Sequence, residues 1–118
     1  RDRLIVMAGW MRIVTPFFIK KFKNKIINIH PSLLPSYKGA FAIKDSILNG
    51  SKITGCSVHF VEEKVDSGSL IMQAALPIFD DDNVETLSKK IQILEHKILP
   101  HSIVLAGFLI RGDFMESY

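Results

Sequence analysis

Asn28 and His30 stand two residues apart at the end of the short apolar run Ile26–Ile29, and Asp66 stands further on, in an Asp66-Ser67-Gly68 turn. Two positions apart on a strand means one shared face. In open α/β sheets, ligands collect beyond the carboxyl ends of strands, where these two side chains would sit. An imidazole there can gain or lose a proton near neutral pH, and a carboxylate in a nearby turn could reach the same pocket. Each residue also has a plainer use, because Asn, His and Asp are common turn formers. An Asn, a His and an Asp also suggest a nucleophilic triad. However, Cys56 lies inside an alternating run, and neither it nor Ser57 has glycines on both sides as a nucleophile elbow does. Four histidines (His30, His59, His96 and His101) raise the question of metal, but the one pair that approaches ligand spacing on a helix face is His96 with His101, five apart. No metal site is expected.

The elements that must hold these groups can be read from the apolar pattern. Leu4–Ala8 ends at Gly9 and reads as a buried strand. Pro16, with Thr15 as its cap, starts a short helix to Phe22. Ile26–Ile29 is the next strand, so the three form a βαβ unit with a parallel pair. His30-Pro31 through Pro35 to Gly39 is irregular, stiffened by two prolines. Ala40, Ile43 and Ile47 recur at helical spacing over residues 40–49, and Asn49-Gly50 supplies a left-handed end.

Thr54–Val61 alternates, with Cys56, Val58 and Phe60 on one side and Ser57, His59 and Val61 on the other. With Leu70–Ile78 it reads as an antiparallel hairpin with a long connection. Asp80-Asp81-Asp82-Asn83 puts acid ahead of a helix start. Val84, Leu87, Ile91, Leu94 and Ile98 then mark an amphipathic helix. Pro100 is expected to kink or split it, with the apolar stretch Ile103–Ile110 continuing to Gly112. The pattern is α/β with a mixed sheet.

Composition narrows the function classes. The chain has 118 residues, one domain's worth, and its 47% hydrophobic and 23% charged content argues against disorder. The uninterrupted apolar runs fall short of the roughly 20 residues that span a bilayer, so no membrane partner is expected. The net charge of +3 is too small and too scattered for a nucleic-acid surface. A single cysteine excludes an internal disulfide and fits a reducing, cytoplasmic setting. The chain opens at Arg1 one step before a buried strand, which reads as a fragment whose earlier strands are missing.

The stretches NIHPSLLPSYKGAFAIKDSILNG, GCSVHFVEEKVDSGSLI and QILEHKILP, in this order, closely resemble the C-terminal part of the phosphoribosylglycinamide formyltransferases. The resemblance runs from Met7 to about Gly112. It implies a mixed, largely parallel sheet with flanking helices, here without its N-terminal strands, and residues 1–118 as the folate-binding and catalytic part of the domain. It also implies transfer of a formyl group from 10-formyltetrahydrofolate, as co-substrate, to the amine of glycinamide ribonucleotide. Asn28, His30 and Asp66 match the family's catalytic trio.

The residue types suit that reaction. Amine attack builds an oxyanion that Asn28 and an imidazolium at His30 can stabilise, and the same ring can shuttle protons. A carboxylate at Asp66 favours the protonated ring or holds a relay water. Met11, Arg12, Ile13 and Val14 match the segment that binds the pterin. Glu62 to Asp66 match the loop closing over it, with Asn28 contributing, and Gln92 and Glu95 match positions that bind the ribonucleotide. By itself Glu95 reads as a solvated helix residue.

The resemblance further suggests a cis Leu34–Pro35 bond, a monomer or homodimer, and no metal. Ser57 is expected near ordered water, and His59 as a packed, cross-strand residue. Methionyl-tRNA formyltransferase and formyltetrahydrofolate hydrolase share the trio and remain rivals, as does a non-catalytic folate-binding fragment. Nothing in the chain resembles a phosphate cradle, and the fragment alone is expected to transfer poorly.

Overall fold

The computed structural model describes residues 4–8, 25–62 and 68–111. Four strands form one sheet in the order β1-β2-β3-β4: β1 (Ile5–Ala8), β2 (Ile26–His30), β3 (Ile53–Phe60) and β4 (Leu70–Pro77). β1 and β2 are parallel, with Met7 opposite Asn28, whereas β2–β3 and β3–β4 are antiparallel. The sheet is therefore mixed, as expected. Within the described strands the balance is antiparallel rather than largely parallel, because the β3–β4 hairpin supplies half of them. The helix expected over residues 16–22 lies outside the described residues.

Each strand agrees with its sequence run to within a residue. Helix α1 (Ala42–Leu48) is shorter than the expected span. Ala40 lies before it, and its most buried side chains are Ala42 and Ser46, with Ile43 and Ile47 half-buried beside them. Gly50 takes the left-handed conformation foreseen for the helix end, at φ +71°.

Helix α2 (Val84–Arg111) begins with a reciprocal cap. The Thr86 N–H donates to Asn83 Oδ1 and the Asn83 N–H donates to Thr86 Oγ1, each at 2.9 Å. Asp82 reinforces it by accepting from the Phe79 N–H, Thr86 Oγ1 and Lys90 Nζ. These contacts, the Lys90 ammonium first, hold the Asp82 carboxyl below its ordinary range. Local hydrogen bonding thus joins the macrodipole as the use of the acidic run.

Pro100 does not split α2, which runs unbroken through it. Pro100 and His96 both face solvent, so the His96 carbonyl that loses its helical donor can turn to water. Continuous, α2 is long and apolar enough, by length and composition, to cross a membrane. Counting uninterrupted apolar runs misses this, because the helix's polar residues are dispersed. In this fold its Leu87, Ile91 and Ala106 join Ile27, Ile29, Cys56 and Val58 in the core.

That core lies on one face of the sheet. Residues directly opposite in a ladder share a face, so the pairings Asn28–His59, His30–Ser57 and Ser57–Gln73 put five polar side chains on the other face. This second face is buried too, with Ser57 at 0%, His59 at 2% and His30 at 5% exposure. The alternation in β3 is therefore apolar-in against polar-in, because the loop after β2 folds back over the sheet.

Gly55 permits that approach. A Cβ there would stand 1.9 Å from the Ala74 carbonyl oxygen and 2.9 Å from Leu33 Cδ2. The oxygen belongs to the neighbouring strand and cannot step aside. Gly55→Ala is expected to lower the unfolding free energy by about 3 kcal/mol, measured as a drop in the urea midpoint at unchanged slope.

Candidate active site

β2 delivers Asn28 and His30 to the polar face at its carboxyl end, as their spacing foresaw. Asn28 is half-buried, and its Oδ1 meets no hydrogen-bond partner among the described residues. A buried carboxamide oxygen left unmatched costs about 1–3 kcal/mol, so the position is suited to a ligand that donates a hydrogen bond.

The His30 ring is fixed by its loop. Its Nε2 lies 2.9 Å from the Tyr37 carbonyl oxygen. A carbonyl only accepts, so Nε2 carries a proton in this contact. The loop is fixed in turn to the sheet through Ser57. Ser57 Oγ donates to the Ser32 carbonyl (2.7 Å) and accepts from the Leu34 N–H and from Gln73 Nε2 (3.0 Å each). Gln73 Nε2 also donates to the Leu34 carbonyl at 3.0 Å, so both polar groups of Leu34 are held. The Leu34–Pro35 bond is cis, as the resemblance suggested.

Ser57 is thus a fastening rather than the water contact that was expected. Gln73 was not singled out in the sequence; only its register opposite Ser57 reveals it. His59 is packed across from Asn28, and its Nδ1–H donates to the Phe60 carbonyl at 2.9 Å.

Of the other expected site residues, some lie outside the described residues and the rest stand elsewhere on the described chain. Asp66 and Met11, Arg12, Ile13 and Val14 lie outside the described residues. Gly68 has φ +111°, and a Cβ there would meet the Phe60 carbonyl oxygen at 1.9 Å. Glu62 is exposed at the edge of the described chain, and Gln92 is exposed on α2.

Glu95 is half-buried on the Cys56 side of the sheet rather than solvated. Burial pushes its carboxyl up, offset in part by His96. Burial, with the Glu95 charge second, pushes the Cys56 thiol up to about 12, against a smaller opposing hydrogen bond with the Ala74 backbone. Such a thiol stays protonated at neutral pH, in agreement with its exclusion as a nucleophile.

Residues 2–103 match the Formyl transferase family. The trifunctional purine biosynthetic protein adenosine-3 of Gallus gallus is 51% identical over 104 residues, covering 88% of this chain and 10% of that protein. The phosphoribosylglycinamide formyltransferase of Haemophilus influenzae is 45% identical over 97 residues, covering 82% and 46%. The crystal structure of phosphoribosylglycinamide formyltransferase from Anaplasma phagocytophilum superposes with a TM-score of 0.83 at 43% identity, covering 85% of this chain and 48% of that one. The chain spans less than half the length of each of these relatives.

A carboxyl held above its ordinary value of 4.5 binds its proton more tightly folded than unfolded. Its contribution is therefore fully present below that value and is lost as pH rises through the raised one. Glu95→Gln is expected to raise the urea midpoint relative to the parent at about pH 7 and to lose that advantage at about pH 4. An equal difference at both would exclude the buried carboxylate as its source.

Proposed function

The chain belongs to the formyl transferase family, and from that premise we propose that it supplies the catalytic part of an enzyme that moves a formyl group from 10-formyltetrahydrofolate to the amine of glycinamide ribonucleotide. The observation that carries this reading is the placement of Asn28 and His30 on one buried polar face, at a strand end, beneath a loop fastened to the sheet.

In this reading the amine attacks the formyl carbon and negative charge gathers on the formyl oxygen. The Asn28 amide donates to that oxygen, where one preorganised donor contributes about 2.7–4 kcal/mol. The unmatched Asn28 Oδ1 accepts from the attacking amine. His30 takes the proton that the amine loses and returns one to the departing folate nitrogen, a role worth roughly a hundred- to ten-thousand-fold. Asp66 supports the protonated ring or holds a relay water. Met11 to Val14 and Glu62 line the folate, and Gln92 and Glu95 bind the ribonucleotide.

Glu95 supports its assignment in one respect: a half-buried carboxylate without an ion-pair partner among the described residues is suited to accepting ribose hydroxyls.

The test uses the complete gene product with both substrates, measuring formylated ribonucleotide and free formate separately. Formylated ribonucleotide is expected; formate alone would mark a hydrolase. Asn28→Ala is expected to lower kcat by about 100- to 1,000-fold with a smaller change in KM. Asp66→Asn is expected to lower kcat while the fold is kept. Glu95→Gln is expected chiefly to raise KM for the ribonucleotide.

A further inference from the structure

Gln73 stands on β4, two strands away from β2, and is exposed. Its register opposite Ser57 nevertheless turns its side chain toward the loop after β2. Gln73 Nε2 donates to the Leu34 carbonyl and to Ser57 Oγ, at 3.0 Å each. An amide nitrogen carries two hydrogens, so both are used. The Leu34 carbonyl only accepts, which makes the nitrogen, and not the amide oxygen, the atom that faces it.

The two bonds act differently. The first ties the main chain of the loop to β4. The second joins the Leu34 N–H in presenting Ser57 Oγ with two donors. The hydroxyl's own proton is thereby turned to the Ser32 carbonyl, at 2.7 Å. Ser32 is 1% exposed. Its N–H donates to the His30 carbonyl at 2.9 Å, and its hydroxyl to the Ser36 carbonyl at 2.5 Å. A path of hydrogen bonds thus runs from an exposed amide on β4, through two buried serines, to the histidine at the end of β2.

We propose that Gln73 is a positioning residue for formyl transfer: from β4 it pins the Leu34 carbonyl and aims the Ser57 hydroxyl at Ser32, and so holds the loop over Asn28 and His30 in one place. This rests on the formyl-transfer reading for its effect on rate, whereas the pin itself can be read without substrate. Displacing reacting groups by about 1 Å can cost about 100-fold in rate. Releasing one of the loop's fastenings is expected to cost about tenfold.

The test takes the complete gene product as parent, Gln73→Met and Gln73→Glu, and combines steady-state kinetics with hydrogen–deuterium exchange read by mass spectrometry. Gln73→Met keeps the side chain's length and removes both donors, at an exposed position where no buried cavity follows. Its kcat is expected to fall about tenfold, with KM for both substrates changed less than about twofold. The peptide spanning residues 32–37 is expected to exchange about tenfold faster, and peptides of α2 at the parent's rate.

Gln73→Glu adds a pH reading. Ionised, the introduced carboxyl only accepts, so it repels the Leu34 carbonyl and draws the Ser57 proton away from Ser32. Protonated, it donates to the Leu34 carbonyl and restores one bond. Its kcat relative to the parent is expected to rise about threefold or more from about pH 8 to about pH 5, while the same ratio for Gln73→Met stays level.

A residue that only stabilises the fold would lower the urea midpoint and leave the kcat of the folded enzyme alone. Unchanged kcat, a loss confined to KM, unchanged exchange over residues 32–37, or a level ratio for Gln73→Glu overturns the proposal. If Gln73→Met fails to fold, the pH ratio of Gln73→Glu decides. A parent that transfers no formyl group counts against the reaction, and the exchange rates then decide the pin alone.

Discussion

Polar groups taken out of water must find partners, and here that requirement falls on one hydroxyl. Ser57 sits at 0% exposure in the middle of β3, on the sheet face opposite the apolar core. With three hydrogen bonds it uses its full capacity, one donated and two accepted. Those bonds bring together β3, β4 and the loop after β2. Without them the cover over Asn28 and His30 would lose its bonds from the middle of β3 to Ser32 and Leu34. The same contact helps a proline-bounded segment with no regular structure keep a defined shape: its backbone groups are satisfied by side chains of the sheet as well as by each other.

The two faces of the sheet divide the electrostatic work. On the α2 face, the low-dielectric core raises both the Cys56 thiol and the Glu95 carboxyl, so neither group favours its charged form there. On the loop face, polar partners surround the rings and amides, and one carboxamide oxygen is left without a match among the described residues. A chain of this size thus keeps a polar layer and an apolar layer a single strand's thickness apart.

Much of this was legible in the sequence, for identifiable reasons. β1 and β2 are short unbroken apolar runs, but only β2 is buried on both sides; β1, expected to be buried, is half-buried with Val6 38% exposed. Asn28 and His30 interrupt the pattern at a strand end, so their shared face followed from their spacing alone. The unbroken passage of α2 through Pro100 was not legible, because a proline's cost depends on whether the freed carbonyl meets water, which is a matter of tertiary exposure. The burial of Glu95 was hidden because it stands at the border of the apolar stripe, where the neighbouring strand decides. The roles of Gln73 and Tyr37 were hidden for a different reason. Each acts across a gap in sequence, Gln73 at 39 residues from Leu34, and local patterning carries no register.

That 39-residue reach sets an order on biosynthesis. A ribosome releases the histidine-bearing strand and its loop well before the hairpin that clasps them. While β4 is still inside the exit tunnel, the loop lacks the glutamine that holds the Leu34 carbonyl. The strand carrying His30 is thus made early, and the geometry around its ring is completed only after roughly a further third of the chain has been translated.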